Sequence, residues 1–231
     1  MEYKDVNKVL KKYKNIHRGE TAVLVGGGPS IDKFKPIKDA LYVGVNWIGK
    51  DKLFNQELED FITVDYYFMC DRDRHMPPDF KVKKQKFCAS LLWNGETFKE
   101  WEEAHVTHEE SKQFNSIILG CSKGRFHRDI SQNPIMGGTI TMCALQFLLY
   151  SGVSKIYLVG QDCAGDTAFG SSQNNPMGAG WGEHSNNYQG PDVQRCWDLA
   201  REFINKEYSE VEIVSINPVK LKGYFKDEYT E

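Results

Sequence analysis

The stretch Thr21-Ala-Val-Leu-Val-Gly-Gly-Gly-Pro-Ser30 decides the fold class. Its first five residues form an unbroken, largely apolar and β-branched run, which is typical of a parallel strand covered on both faces. Three glycines follow at once, and Pro29 with Ser30 favours the start of a helix. A buried strand that passes through a glycine turn into a helix predicts an α/β sheet.

The same alternation continues along the chain. Apolar runs predict strands, and stretches with helical spacing of apolar residues predict helices. The predicted strands after 21–25 are 41–45, 64–70, 86–92, 116–119, 155–159 and 211–216, and the predicted helices are 5–14, 139–150 and 192–206. We therefore predict a single α/β domain over residues 1–231, built on a Rossmann-like, mostly parallel sheet flanked by helices.

Composition restricts the class of protein. The chain carries 29 Lys and Arg against 32 Asp and Glu, and this balance argues against a protein that coats nucleic acid. No apolar run approaches the ~20 residues of a membrane-spanning helix, and the charged segment 1–14 lacks a signal-peptide core. Six widely spaced cysteines are typical of buried thiols in a reducing compartment. These features predict a cytoplasmic location and leave the oligomeric state open, a homo-oligomer included.

The segment 160–190 departs from globular composition. It is rich in Gly and Asn and also contains Met177, Trp181 and Tyr188. A connection of this length without regular structure is typical of a loop that closes over a ligand, so we predict a lid here, with an inert surface loop as the alternative. The charged tail, residues 220–231, is expected to be partly loose.

Polar residues or glycines follow several predicted strands. Because ligands of parallel sheets bind outside the carboxyl ends of the strands, this pattern predicts a binding site at that edge. The residues concerned are Gly26, Gly27, Gly28, Pro29, Ser30, Asn46, Asp71, Asp73, Gln161, Asp162 and Asn217. Glycines let a backbone approach a phosphate closely, although a plain tight turn is the alternative. No Gly-Lys-Ser/Thr follows as in a Walker loop, and Ile31 replaces the third glycine of the dinucleotide fingerprint.

Four short motifs, in their order and spacing, resemble those of a known superfamily. They are Gly28-Pro29-Ser30, Asn46, Gly137-Gly138-Thr139 and Tyr157-Leu-Val-Gly-Gln-Asp162. The chain is similar to proteins grouped with the archaeal 6-hydroxymethylpterin pyrophosphokinase, to bacterial sialyltransferases and to the motility accessory factors that modify flagellin. The resemblance spans residues 21–216, which is nearly all of the chain.

The resemblance implies a nucleotide-binding transferase. In these families the Gly-Pro-Ser turn, the Asn after the second strand and the segment that matches Gly137, Gly138 and Thr139 contact the nucleotide. A lid then closes over the sugar donor, and in the sialyltransferases a lid histidine is the general base. His184 matches that histidine, and imidazole suits the role because it titrates near neutral pH; a solvated loop histidine is the alternative. Lid tyrosines hold the leaving phosphate in that family, and Tyr188 is the single tyrosine of this lid.

Asp71 and Asp73 lie one residue apart at a strand end and suit Mg²⁺, with a solvated charged turn as the alternative. The resemblance implies a metal for the pyrophosphokinase and none for the sialyltransferases. We predict a glycosyltransferase that moves a sugar from a nucleotide-sugar, favoured as a CMP-sugar, to a glycan or lipid-linked acceptor. One alternative is ATP-dependent pyrophosphoryl transfer to a pterin alcohol, in which Asp71, Asp73 and Asp162 matter more than His184. The other is a non-catalytic nucleotide-binding accessory protein.

Overall fold

The structure, a computed structural model, describes residues 7–46, 48, 53–54, 56, 61–69, 80–91, 116–122, 125–136, 139–161 and 191–230. Its strands are β1 Thr21–Val25, β2 Leu41–Val45, β3 Tyr66–Met69, β4 Gln85–Leu91, β5 Ser116–Ser122, β6 Ile135–Met136, β7 Lys155–Val159, β8 Glu212–Ile216 and β9 Lys226–Glu228. Its helices are α1 Ile140–Ser151 and α2 Pro191–Glu207, together with 3-10 helices at Lys8–Tyr13 and Pro29–Lys33. None of the helices within these ranges is long and apolar enough to cross a membrane.

The strands form one sheet in the order β6-β5-β4-β3-β2-β1-β7-β8-β9. Neighbouring strands in the described ladders are parallel throughout. The chain builds outward from β1 to β6 and then returns through α1 to β7, on the other side of β1. The strand order therefore reverses between β1 and β7, and this gap is the topological switch point. The predicted α/β fold with a parallel sheet is confirmed.

The sheet is covered on both faces. Leu24 belongs to one hydrophobic cluster and Val25 to another, because successive strand side chains point to opposite faces. On the first face Phe147 of α1 packs against Phe87 at a ring-centroid distance of 5.1 Å. All twelve residues of α1 are buried, which explains why the sequence of this helix is apolar on most sides. Because both faces of the sheet are covered, a ligand can reach the sheet at the ends of its strands.

The cysteines that the structure describes are buried, as predicted. Cys88, Cys121, Cys143 and Cys196 are buried and take part in no disulfide within the described part of the chain. They act as small apolar filler between the elements.

Two of the expected helices are 3-10 helices in the part of the chain that the structure describes. Within the segment predicted as an α-helix over 5–14, residues Lys8–Tyr13 form a 3-10 helix, and residues 5 and 6 lie outside the described residues. The helix after the glycine turn is a 3-10 helix of only five residues, Pro29–Lys33. Pro36 explains its early end, because a proline disfavours helical backbone at the preceding residue. A helix this short lacks the aligned peptide dipoles that would favour an anion at its start.

The charged tail is part of the sheet. Its strand β9 pairs in parallel with β8 at the edge. Thr230 N–H donates to Asn217 Oδ1 at 2.9 Å, and Thr230 Oγ1 donates to the Lys33 carbonyl at 2.7 Å. The expectation of a loose tail is therefore wrong for residues 220–230, and its charge fits an edge strand, since charged side chains discourage pairing with another chain. The predicted lid lies outside the described residues apart from its first two positions.

Candidate functional site

The carboxyl ends of β1 and β7 are held together by backbone hydrogen bonds. Gly26 N–H donates to the Val159 carbonyl and Gly28 N–H to the Gly160 carbonyl, both at 2.8 Å. Gly160 has a φ of +64°, which favours glycine, and a Cβ on it would collide with the Gly26 carbonyl. A Cβ on Gly26 would lie 2.5 Å from Gln161 Nε2 and 2.6 Å from the Gly160 carbonyl oxygen. Glycine at both positions therefore permits the close approach of the two strand ends.

The glycine turn therefore has a structural role, because it joins the end of β1 to the end of β7. The amides of Gly26 and Gly28 are occupied by β7 and the residue after it, so they do not face a ligand. Among the described contacts, the amide of Gly27 makes no backbone hydrogen bond, so it is a candidate donor to a phosphate oxygen. The nucleotide contacts expected of Gly26 to Ser30 remain predictions, and Gly27 is the strongest of them.

Asn46 lies beside this turn, just past the end of β2. The pairing of Val25 with Gly44 brings the two strand ends level. Asn46 has a φ of +47°, a conformation that asparagine tolerates better than most side chains. Tyr67 Oη donates to the Asn46 carbonyl at 2.6 Å and holds this bend in place. The nucleotide contact predicted for Asn46 remains a prediction, but its backbone is fixed at the edge where that contact requires it.

The start of α1 reaches the same edge. Thr139 is the N-cap, and its Oγ1 accepts the Met142 N–H at 3.4 Å. Further into the helix, Thr141 Oγ1 donates to Gln161 Oε1 at 3.3 Å. Gln161 also lies against Gly26, so one side chain joins α1, β7 and the glycine turn. The sequence analysis missed Thr141, whose only signal is its position two residues after the start of a predicted helix.

A narrow pocket opens beside Gln161, between the ends of β7 and β8. It is a crevice that leaves no enclosed room for a water molecule, and its lining includes Ser30, Leu158, Gln161, Ser215 and Leu221. Ser215 is only 2% exposed, and its hydroxyl has no hydrogen-bond partner within the described part of the chain. Sequence analysis missed Ser215 because it stands inside an apolar strand run.

Several predicted site residues lie outside the described residues. They are Asp71, Asp73, Gly137, Gly138, Asp162, His184 and Tyr188. Their catalytic, nucleotide-binding and metal-binding roles stay predictions. Within the ranges described, no group of three or more His, Cys, Asp or Glu side chains is arranged to hold a metal ion.

Comparisons with known proteins identify the family and agree with the fold. The family model described as 6-hydroxymethylpterin diphosphokinase MptE-like matches residues 1–167. The structure is similar to that of the sialyltransferase CstII from Campylobacter jejuni in complex with a substrate analogue, CMP-3FNeuAc. Its TM-score is 0.51, with 14% sequence identity over 90% of this chain and 85% of that chain.

A structure of the sialyltransferase CST-II in complex with trisaccharide acceptor and CMP gives a TM-score of 0.49. The sequence identity is 13%, over 85% of this chain and 80% of that chain. At these identities the likeness concerns the fold alone. No curated protein sequence matches the chain.

Proposed function

The chain belongs to the 6-hydroxymethylpterin diphosphokinase MptE-like family, and we propose that it is a transferase that binds a nucleotide-activated substrate at the switch point between β1 and β7. The observation that carries this proposal is the meeting of the β1 and β7 strand ends, where Gly26 and Gly28 donate to the carbonyls of Val159 and Gly160. Between them, the Gly27 amide makes no backbone hydrogen bond among the described contacts, and we propose that it donates to a phosphate oxygen. Ligands of open parallel sheets bind at this point of the topology.

We assign each residue a role from the hydrogen-bond donors and acceptors that it carries. Gly27 N–H donates to a phosphate oxygen, and Asn46 contacts the ribose or base. Thr139 uses an oxygen lone pair to cap α1, and its hydroxyl proton remains a donor for the ligand. The hydrogen bond from Thr141 fixes the side chain of Gln161 beside the crevice between the strand ends.

In its finer form the proposal is glycosyl transfer from a CMP-sugar to a glycan or lipid-linked acceptor. An acceptor hydroxyl oxygen attacks the anomeric carbon, the bond from that carbon to the phosphate oxygen breaks, and CMP leaves with the bonding electrons. His184 takes the hydroxyl proton as general base. The fold shared with CstII, whose structure holds CMP-3FNeuAc, supports this donor class.

The family description favours a second candidate, which is diphosphoryl transfer from ATP to a pterin alcohol. In this reaction the alcohol oxygen attacks the β-phosphorus, the bond from that phosphorus to the α–β bridging oxygen breaks, and AMP leaves with the bonding electrons while the alcohol proton passes to solvent. Catalysis of this kind depends mainly on positioning and on neutralising phosphate charge. Asp71, Asp73 and Asp162 are the carboxylates of this chain suited to hold Mg²⁺ there.

Turnover assays decide between these candidates. The protein is incubated with CMP-sialic acid and sugar acceptors, with CMP release measured, and with ATP, Mg²⁺ and 6-hydroxymethylpterin, with AMP release measured. We expect CMP release that His184→Ala abolishes while CMP binding survives. The exposed carboxylate variant Asp32→Asn serves as a matched control for Asp71→Asn.

AMP release that Asp71→Asn abolishes and His184→Ala leaves intact would overturn glycosyl transfer in favour of the second candidate. Nucleotide binding with release of neither CMP nor AMP would support the alternative of a non-catalytic nucleotide-binding accessory protein.

A further inference from the structure

The chain turns back on itself directly after β2, at Asn46. This residue has a φ of +47°, a left-handed conformation that residues other than glycine seldom adopt. The turn places the side chain of Ile48, which is fully buried, against Gly44, where a Cβ would collide with it. Residues other than glycine keep such a conformation only where surrounding contacts fix it, and they cluster at functional sites. The end of β2 therefore has a backbone conformation that depends on its neighbours.

Tyr67, on the neighbouring strand β3, supplies one of these contacts. It is the register partner of Gly44 and belongs to the same hydrophobic cluster as Ile48. Tyr67 is 1% exposed, and its ring packs against Phe80 at a centroid distance of 5.4 Å. The Tyr67 hydroxyl donates to the Asn46 carbonyl at 2.6 Å. The packed ring thus fixes the hydroxyl, and the hydroxyl fixes the backbone of the turn.

A conformation that is fixed before the ligand arrives favours binding. A ligand that contacts the Asn46 side chain binds the molecules in which this residue is already in place, and its apparent affinity falls in proportion to their fraction. Asn46 follows β2, which is the neighbour of β1 in the sheet, so it lies beside the switch point. Because Tyr67 is buried, its effect on a ligand passes through the backbone of Asn46.

We propose that Tyr67 is a positioning residue for the nucleotide, whose hydroxyl holds Asn46 in the left-handed conformation that presents its side chain to the ribose or base. The inference rests on the proposed function, which assigns that contact to Asn46. It adds the residue of β3 on which the contact depends.

The test compares two buried tyrosine hydroxyls that bind backbone groups at opposite ends of the sheet. Tyr67→Phe removes the bond to Asn46 and keeps the packed ring. Tyr42→Phe is the matched control, because Tyr42 is 5% exposed near the amino end of β2. The Tyr42 hydroxyl donates to the Ile37 carbonyl at 2.9 Å and accepts the Ile37 N–H at 2.7 Å.

Dissociation constants for CMP, and for ATP with Mg²⁺, are measured by titration calorimetry. The proteins are the wild type, the two tyrosine variants, Asn46→Gly, and the double variant that combines Tyr67→Phe with Asn46→Gly. Melting temperatures without ligand are recorded for each of them.

We expect Tyr67→Phe to weaken the nucleotide that the wild type prefers about 3- to 10-fold, as the loss of one hydrogen bond does. Tyr42→Phe also lowers the melting temperature, because its bonds to Ile37 are lost, but leaves the dissociation constants unchanged. In Asn46→Gly the amide side chain is missing, and glycine adopts a positive φ without strain. Adding Tyr67→Phe to this variant therefore causes no further weakening.

Wild-type affinity in Tyr67→Phe would overturn this inference and leave the proposed function standing. Equal weakening by Tyr42→Phe would show a general loss of stability, and it would overturn the inference as well. The same holds if Tyr67→Phe weakens binding as much in Asn46→Gly as in the wild type, because Tyr67 would then not act through Asn46. A wild type that binds neither CMP nor ATP would overturn the inference together with the nucleotide site.

Discussion

Gly26 and Gly160 face each other at the ends of β1 and β7, and neither has room for a methyl group. The sequence analysis singled out the first as part of a possible phosphate turn. The structural reason for glycine at position 26 is that the turn at Gly160 packs against it. This is a tertiary contact between distant segments, which a local sequence pattern does not reveal. Gln161 shows the same limit, since its position after a strand was predictable and its bond to Thr141 was not.

The contact between the two turns predicts a large cost for Gly160→Ala. Alanine in this left-handed backbone conformation costs about 1–2 kcal/mol. Its Cβ would also displace the Gly26 backbone, which costs about 1–3 kcal/mol more. Gly19→Ala is the matched control, because Gly19 has a φ of +82° and nothing lies within 4 Å of its Cβ. Urea unfolding should show a loss for Gly160→Ala roughly twice that for Gly19→Ala or more. Equal losses would contradict the close contact.

Asp129 links the loop before β6 to the first helical segment. Burial raises the pKa of Asp129, but hydrogen bonds from Ser131 and the Lys14 ammonium at 3.6 Å outweigh it and lower the pKa below its ordinary 3.8. A carboxylate with a lowered pKa stabilises the fold above its unfolded pKa, and this contribution is lost as the pH falls through the folded pKa. Asp129→Asn should therefore be less stable than the wild type at pH 7, with the difference shrinking below about pH 4. Urea midpoints at a series of pH values measure this, and a difference that stays constant down to pH 2.5 would refute it.

Among the elements, long apolar runs were predictable and short edge segments were not. β1, β2 and β7 have continuous apolar sequences, and their boundaries match the prediction. β6 has two residues and β9 has three charged ones, so neither shows strand periodicity. Their pairing depends on neighbours already in place. The 3-10 geometry of Lys8–Tyr13 was not predictable either, because the same spacing of apolar residues is compatible with an α-helix and with a 3-10 helix.

A reciprocal side-chain pair, Asn217 with Thr230, lies at the end of the edge strand β9. Asn217 Nδ2 donates to Thr230 Oγ1 at 2.7 Å, and Thr230 N–H returns a bond to Asn217 Oδ1. Thr230→Val should lower the free energy of unfolding by about 1 kcal/mol, as should Asn217→Ala. The double variant should lose less than the sum, because both changes remove the bond from Asn217 Nδ2 to Thr230 Oγ1. Tyr229→Ser, at a side chain that is 61% exposed, is the neutral control, and strict additivity in urea unfolding would contradict the pairing.

For the whole molecule, the sequence predicted the edge of the sheet that holds the site but not the meeting of particular strands there. Strand order depends on pairing between distant segments, such as Val25 with Val159, which single-sequence patterns do not reveal. Once the order is known, the switch point selects the gap between β1 and β7, which Gly27 follows on one side, and Asn46 follows the neighbouring strand β2. Tyr67 was missed, because a tyrosine within an apolar strand carries no signal until its bond to the Asn46 carbonyl is seen.

Thermal unfolding of the wild type with nucleotides tests this assignment most directly. A ligand present at ~100 times its dissociation constant adds about 2.7 kcal/mol of stability, which for a chain of this size raises the melting temperature by about 5–10 °C. We predict such a rise with CMP in the absence of metal; a rise with ATP only when Mg²⁺ is present would keep the site and change the reaction. Unchanged melting with CMP, AMP and ATP, with and without Mg²⁺, would contradict a nucleotide site at the switch point.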